Sequence, residues 1–126
     1  MEQVSVLRLN ERALLNRDRI VQLKRQLGEP TAQDVLCRAV EEIAARLEYV
    51  SVRFGLQELP EMRKSTRSLL AIADQVGLDT LTMVADDVLD CIDNGDLVAL
   101  SATHDRLLRV GQNSLTEIWD MQDIRV

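Results

Sequence analysis

Aromatic residues, proline and glycine are all scarce in this chain. It has one Trp, one Tyr and one Phe among 126 residues, with two Pro and five Gly. A core without aromatic rings is built from Leu, Val, Ile, Ala and Met, which suits close helix-on-helix packing better than a β-sandwich. Because Pro and Gly are few, the chain has long segments without helix-breaking residues, as a helical bundle needs. The composition therefore predicts an all-α protein.

Long apolar runs and an excess of basic charge are also lacking. No run approaches the roughly 20 apolar residues that span a bilayer, and residues 1–9 are too short and too polar for a secretory segment. The net charge is −6, without a basic tail, whereas duplex binding relies on Lys and Arg that neutralise phosphates. We expect one soluble cytoplasmic domain that binds neither nucleic acid nor membrane.

Cysteine and histidine are too few for an evident metal centre. Cys37 and Cys91 stand apart with no C-x-x-C spacing, so small buried apolar groups are favoured over metal or redox use. With one histidine in the chain, a zinc site would need carboxylates for most of its ligands. An acidic row is read as a solvated helix face rather than a divalent cation site: Asp86, Asp87, Asp90 and Asp93. We expect no metal and no cofactor.

Apolar spacings of three and four residues, interrupted by glycine, predict five helices. They cover about residues 11–27, 31–54, 57–76, 78–93 and 97 onward, with Thr31 and Asp96 as N-caps. Breaks are expected at Gly28, Gly55, Gly77 and Asn94-Gly95. The predicted inner stripes include Val21 and Ile20 in the first helix, Leu36, Ile43 and Leu47 in the second, Met62 and Leu69 in the third, Leu81 and Val88 in the fourth, and Leu97, Leu100, His104 and Leu107 in the last.

The predicted architecture is a single domain over residues 1–126. Residues 1–28 form an N-terminal arm and helix, and residues 31–123 form an up-down four-helix bundle. Four helices complete such a bundle without the first one. The apolar side of the first helix must therefore cover the bundle or meet a second copy of the chain.

One segment resembles a known family of signalling bundles. Residues 67–78 read RSLLAIADQVGL, which is similar to the central helix of the histidine phosphotransfer (HPt) family. That helix carries His-x-Leu-Lys-Gly-x-Ala and then a Gly-Leu break. Leu69 and Ala73 match the motif, Gly77 begins the break, and Asn94-Gly95-Asp96 resembles the family's second turn. The resemblance covers about residues 31–120 and implies an HPt-like four-helix bundle connected with two-component phosphorelay signalling.

The residues that do chemistry in that family are replaced here. Arg67 stands at the position of the phosphoacceptor histidine, Leu70 at the lysine and Ala71 at the glycine. Arginine stays protonated and has no lone pair with which to attack a phosphoryl group. The resemblance therefore implies no enzyme activity. It implies a non-catalytic signalling or adaptor domain that binds a response-regulator receiver domain or a histidine kinase by protein-protein contacts.

The predicted contact surface lies on the helix that carries Arg67. A planar guanidinium engages carboxylates bidentately, which suits the acidic pocket of a receiver domain. The candidate partner-binding residues are Arg63, Lys64, Arg67, Leu70 and Ala71. The alternative is an ordinary solvated face, with the basic residues paired to Glu58 or Glu61.

Two other functions stay open at this point. One is a structural homo-oligomer, in which the first helix and the region of Trp119 join subunits. If the chain is not an oligomer, Trp119 and Met121 are expected to close the end of the bundle. The other is a phosphotransfer protein that uses His104. The favoured interpretation of His104 is a partly buried imidazole that is hydrogen-bonded to Asp105 or to another carboxylate across the bundle. We find no phosphate loop and no nucleophile beside a base.

Overall fold

A computed structural model describes residues 15–123, with side chains through Met121, and this part of the chain is all-helical. The five helices in it are α1 (Arg17–Leu27), α2 (Glu29–Gly55), α3 (Leu59–Gln75), α4 (Asp79–Asn94) and α5 (Leu97–Asp123). The one β interaction among these residues is an isolated antiparallel bridge between Leu15 and Leu78. The all-α prediction is confirmed.

The first helix begins later than the sequence predicts. Residues 11–14 of the predicted helix lie outside the described part of the chain, and Leu15 and Asn16 are not helical. The Asn16 side chain instead caps α1, with its Oδ1 accepting a hydrogen bond from the Arg19 backbone N–H at 3.3 Å. The Asn16 backbone N–H donates to the carbonyl of Gly77 at 2.7 Å. That bond holds the chain extended where the periodicity predicts helix.

A single residue separates the first two helices. Gly28 has φ +80°, and its N–H donates to the Lys24 carbonyl at 2.9 Å. The predicted N-cap Thr31 is wrong, because α2 already begins at Glu29 and carries Pro30 in its first turn. Proline is tolerated there since the first helical N–H groups have no partner within the helix.

The later breaks fall where glycine was expected to end a helix. Gly77 has φ +80°, and Gly95 closes α4 in the left-handed conformation, which favours glycine. The side chain of Asp96 then accepts a hydrogen bond from the Ala99 N–H at 3.0 Å. The predicted cap of the last helix is thereby confirmed.

The core follows most positions of the predicted stripes and departs from them at a few. Val21 and Leu97 were expected inside, but they are 46% and 61% exposed. Cys37, expected to be buried, is exposed, whereas Cys91 is half-buried. The fully or almost fully buried residues of the predicted stripes are Ile20, Leu36, Ile43, Leu47, Met62, Leu69, Leu81, Val88, Leu100, His104 and Leu107.

The helices form a bundle in which α2 packs against α1, α3 and α5, and α4 packs against α3 and α5. Helices α2 and α5 approach closely at Gly111, where an added Cβ would lie 2.5 Å from Cδ1 of Leu47. Among the described residues, α1 contacts α2 of the same chain. Within residues 15–123, no helix has the length and apolar character needed to cross a membrane.

Candidate functional site

The five predicted contact residues lie on α3, on the side away from its core-facing stripe. Met62, Leu69 and Ala73 are fully buried, so residues offset from them by about half a turn face outward. Lys64, Arg67 and Ala71 are accordingly exposed, and their spacing of three and four residues places them on one face. The remaining two candidates, Arg63 and Leu70, are half-buried beside this face.

Arg63 does not form the ion pair that the sequence suggested. Its Nε and Nη2 donate to the two carboxylate oxygens of Asp93 on α4, at 2.7 and 3.2 Å. Glu58, one of the expected partners, instead accepts a hydrogen bond from Arg53 across the turn between α2 and α3. The pair joins a residue near the start of α3 to one near the end of α4, a contact that periodicity on one helix cannot reveal.

The Arg63–Asp93 pair controls the charge at this end of the surface. The bidentate hydrogen bond from Arg63 lowers the pKa of the Asp93 carboxyl, and the nearby charge of Arg67 lowers it further. The same bond raises the pKa of the Arg63 guanidinium. Asp93 therefore stays ionised and neutralises Arg63.

Lys64 and Arg67 are the two cations of the surface whose side chains have no direct partner. Among residues 15–123, neither side chain forms a hydrogen bond or an ion pair, and Arg67 acts on Asp93 only through its nearby charge. The hydroxyls beside them are directed back into the helix: Thr66 Oγ1 donates to the Met62 carbonyl at 2.8 Å, and Ser68 Oγ to the Lys64 carbonyl at 3.4 Å. The face thus offers two exposed positive charges next to the small side chain of Ala71.

Lys64 and Arg67 give this face charged hydrogen-bond donors. Arginine and lysine are donors without an acceptor lone pair when protonated. A nucleophile would also need a base to take its proton. Within the described helices, the sole imidazole belongs to His104, which lies on α5, and α5 makes no direct packing contact with α3.

His104 occupies the interior between α2 and α5. Only 5% of its surface is exposed, and its ring stacks on that of Phe54 with 4.3 Å between the ring centroids and 23° between the ring planes. The predicted hydrogen bond is absent, since neither ring nitrogen has a partner among the described residues. Asp105 Oδ1 lies 3.8 Å from Nδ1, too far for a hydrogen bond. Burial lowers the pKa of His104, and the charge of Asp105 offsets part of that effect.

The acidic row of α4 is mostly solvated, as expected. Asp86, Asp90 and Asp93 are exposed, and Asp87 Oδ2 lies 3.7 Å from the guanidinium of Arg106. No group of three or more His, Cys, Asp or Glu side chains within residues 15–123 is arranged to hold a metal ion.

A shallow groove between α2 and α3 was not predicted from the sequence. It has a volume of about 280 Å³ and begins beside Ala71, at Ile72. It is lined by Val35, Arg38, Ala39, Glu42, Ile72, Gln75 and Val76. Ligand pockets usually measure about 300–1,000 Å³ and enclose most of the ligand. This groove is smaller and open, so it is a surface depression and not a typical small-molecule site.

The region of Trp119 differs from the expected closing plug. Trp119 is 56% exposed on α5, while Ile118 beside it is fully buried. Met121 is half-buried and packs against the core. The register of the helix explains the difference, because adjacent residues point about 100° apart and only one of them can face the core.

Comparisons with protein-family models, with curated proteins and with solved structures found no match to this chain.

Proposed function

We propose that this protein is a non-catalytic signalling or adaptor domain. It resembles a histidine phosphotransfer protein without the phosphoacceptor and acts in the cytoplasm. It binds a response-regulator receiver domain or a histidine kinase through the outer face of α3, and it regulates a phosphorelay without carrying phosphate. The finer architecture that we propose is an up-down four-helix bundle of α2–α5 with α1 added outside it.

Side-chain pairings between neighbouring helices support the up-down arrangement. Arg63 in the first turn of α3 meets Asp93 near the end of α4. Cys91 near the end of α4 accepts a hydrogen bond from Thr103 near the start of α5, at 3.6 Å. Phe54 at the end of α2 stacks on His104 near the start of α5. In each pair, the end of one helix lies beside the beginning of its neighbour, as antiparallel helices require.

The single observation that carries the functional proposal is the position of Arg67. It is exposed and unpaired on the outer face of α3, at the place that corresponds to the nucleophilic histidine of the HPt family. A side chain at that position would reach the acidic pocket of a bound receiver domain. A guanidinium there forms charge-assisted hydrogen bonds with carboxylates, and Lys64 adds a second positive charge.

The flanking residues support docking in a different way. Ala71 is small and exposed, so a partner can approach the backbone of α3 closely. Leu70 is half-buried against the core and leaves part of its apolar surface accessible. Apolar contact of this kind beside charged groups is the usual composition of a transient interface.

The test is a calorimetric titration of the full chain against receiver domains from its own source. Each titration is run with and without a phosphate mimic on the receiver, and phosphoryl transfer is assayed in the same samples. The variant is Arg67→Glu. The matched control is Arg109→Glu, which makes the same charge change at an exposed position on α5 with no partner among the described residues.

We expect binding without transfer, weakened about tenfold or more by Arg67→Glu, since reversal of a charge that faces carboxylates adds repulsion to the lost hydrogen bonds. Arg109→Glu should leave the affinity unchanged. An unchanged affinity of Arg67→Glu contradicts the assigned surface, and the absence of binding to any receiver domain or kinase contradicts the function.

A second candidate, the structural homo-oligomer, is favoured by the exposure of Trp119. Large aromatic side chains are enriched at the centres of protein interfaces, and this one leaves 56% of its surface accessible. In that case the mass in solution rises with concentration, and Trp119→Ser reduces the rise. A mass that stays monomeric from micromolar to millimolar concentration excludes it.

The third function considered, phosphotransfer through His104, requires an accessible imidazole. His104 is buried against Phe54, so a phosphoryl donor could reach it only after α2 and α5 separate. Transfer that is abolished by His104→Ala would establish this function and overturn the non-catalytic one.

A further inference from the structure

The beginning of α1 is bound to the junction between α3 and α4. The Asn16 N–H donates to the Gly77 carbonyl, and Asn16 Nδ2 donates to Asp79 Oδ2 at 3.2 Å. Arg19 Nη2 donates to the carbonyls of Asp74 and Gln75, at 2.9 and 3.3 Å. These carbonyls belong to the last turn of α3, where carbonyl groups run short of helical N–H partners, although that of Asp74 also accepts from the Gly77 N–H at 3.2 Å. A residue more than 50 positions earlier in the chain thus caps α3.

The fit at this junction is close. A Cβ added to Gly77 would lie 2.8 Å from Cβ of Arg19 and 3.1 Å from the Asn16 carbonyl oxygen. Real Cβ atoms do not approach other carbons to 2.8 Å, so only glycine permits α1 to lie this near. The junction and α1 are therefore complementary in shape as well as in hydrogen bonding.

The apolar contribution of α1 is small by comparison. Ile20 is its only fully buried side chain, and Leu23 is half-buried against the core. Val21 and Leu27 are 46% and 43% exposed. Helix α1 packs along α2, and it reaches α3 through the hydrogen bonds of Arg19. Segments that bury few apolar side chains open at lower free energy than the core of the same protein.

The connection to α2 allows α1 to move as a unit. Gly28 is the whole linker, and its exposed position has no atom within 4 Å of an added Cβ. A change of φ and ψ at this one residue swings α1 away and leaves the helical residues of α2 unchanged, as hinges formed by a few residues do. The carbonyl groups that α1 covers then become accessible to water.

We propose that residues 16–27, which we call the strap, open as a unit about Gly28 while α2–α5 stay folded, and that this opening regulates access to the Gly77–Leu78 junction and to the carbonyl end of α3. The closed state is held by hydrogen bonds of Asn16 and Arg19, by buried Ile20 and by half-buried Leu23. Leu15, directly before the strap, packs on the core and bridges to Leu78, so it must also separate when the strap opens. The proposal follows from the contacts of α1 alone and does not depend on the proposed receiver binding.

Hydrogen–deuterium exchange of the full wild-type chain, followed by mass spectrometry, tests the strap directly. Under native conditions, we expect the amides of residues 20–27 to exchange about a hundredfold faster than those of residues 84–91 in α4, because the strap opens without global unfolding. Limited trypsin digestion gives a second readout. Cleavage after Lys24 or Arg25 should be rapid and should leave the rest of the bundle intact.

Arg19→Ala identifies the bonds that close the strap. We expect about tenfold faster exchange in residues 20–27 and in residues 76–79, from the loss of two charge-assisted hydrogen bonds, with α4 unchanged. The control is Arg25→Ala, which removes an exposed arginine of the same helix that has no partner among the described residues. It should behave as the wild type.

Equal protection of α1 and α4 in the wild type would overturn the proposal, because α1 would then belong to the global folding unit. An Arg19→Ala variant that accelerates exchange equally in all helices would do the same. Both readings come from the folded full chain, so neither requires α1 to be removed.

Discussion

The imidazole of His104 lies against the phenyl ring of Phe54, with 4.3 Å between the ring centroids and 23° between the ring planes. This stacked pair joins α5 to the end of α2, and it leaves both imidazole nitrogens without a hydrogen-bond partner among the described residues. A neutral imidazole tolerates this environment better than an imidazolium, because burial costs the charged form more than the exposed Asp105 carboxylate, 3.8 Å from Nδ1, returns.

The first prediction concerns acid stability. Burial lowers the pKa of His104 below its ordinary value near 6.5, so the unfolded chain takes up a proton at higher pH than the folded one. The free energy of unfolding should therefore fall as pH decreases below about 6.5, with a slope of at most ~1.4 kcal/mol per pH unit from this one group. At pH values below the pKa of His104 in the folded state, this group should no longer contribute to the slope.

Urea unfolding between pH 8 and pH 5 measures this dependence. His104→Leu supplies the control, since it retains an apolar side chain of similar volume and does not titrate. The difference in stability between wild type and variant should change with pH below 6.5 and stay constant above pH 7.5. A difference that is independent of pH over the whole range would show that His104 titrates equally in both states.

The second prediction concerns the contact between α2 and α5 at Gly111. In Gly111→Ala, the new Cβ would lie 2.5 Å from Cδ1 and 2.9 Å from Cδ2 of Leu47. We expect a loss of about 1–3 kcal/mol, because one side chain must leave its preferred rotamer or the helices must separate.

A double-mutant cycle identifies the clash. Leu47→Val removes the two Cδ atoms and alone costs about 1 kcal/mol. Combined with Gly111→Ala, it should cost less than the sum of the single changes, because the clashing atoms are gone. Additive losses in urea unfolding would place the cost of Gly111→Ala elsewhere.

The third prediction concerns Gly77. Its φ of +80° disfavours any residue with a Cβ, and the strap lies directly against it. Gly77→Ala should destabilise the protein by about 1–3 kcal/mol and raise the exchange of α1 amides more than that of α4 amides. Gly55→Ala is the matched control.

Gly55 is helical, has no positive φ and has open space around an added Cβ, so alanine there should be neutral or slightly stabilising. Thermal unfolding of the two variants gives the comparison. If both variants shift the unfolding midpoint by the same amount, the crowding at Gly77 does not determine the stability lost in Gly77→Ala.

The fourth prediction concerns the relative strength with which two arginines lower the pKa of Asp93. The hydrogen bonds from Arg63 are the main cause of the lowered pKa of Asp93, and the charge of Arg67 is a smaller one. Carboxyl NMR titration should give a pKa below 3.8 in the wild type. Arg63→Ala should raise it strongly and Arg67→Ala slightly.

The sign of the stability effect follows from the lowered pKa. Ionised Asp93 stabilises the fold above the pKa of the unfolded state, and that stabilisation is lost as pH falls through the folded-state value. If Arg67→Ala raises the pKa of Asp93 more than Arg63→Ala does, then Arg67 is the main partner of the carboxylate. In that case Arg63, and not Arg67, is the arginine of α3 without a direct partner.

Much of the local structure could be predicted because it depends on neighbours in the sequence. Glycine at Gly28, Gly77 and Gly95 takes positive φ values that other residues avoid, so the helix ends there were found correctly. The spacing of Leu36, Ile43 and Leu47 likewise placed them in the core. The outward position of Lys64 and Arg67 follows from the same periodicity.

The errors fall where a residue's environment depends on a distant segment. Nothing near Asn16 in the sequence indicates that its backbone will bond to Gly77, so the start of α1 was placed too early. Val21 and Leu97 fit apolar stripes, and Cys37 was expected inside as an isolated thiol, yet all three are exposed. The partner of Arg63 was sought on its own helix, whereas Asp93 lies 30 residues away.

By itself, then, the sequence determined the helical class, the helix breaks and the absence of a histidine at position 67, because each depends on residue type or on spacing within one helix. The tertiary structure decided which charges are neutralised, whether His104 is accessible, and where α1 lies. These properties depend on the apposition of helices that are far apart in the chain. Burial and long-range hydrogen bonds exist only once the helices have packed.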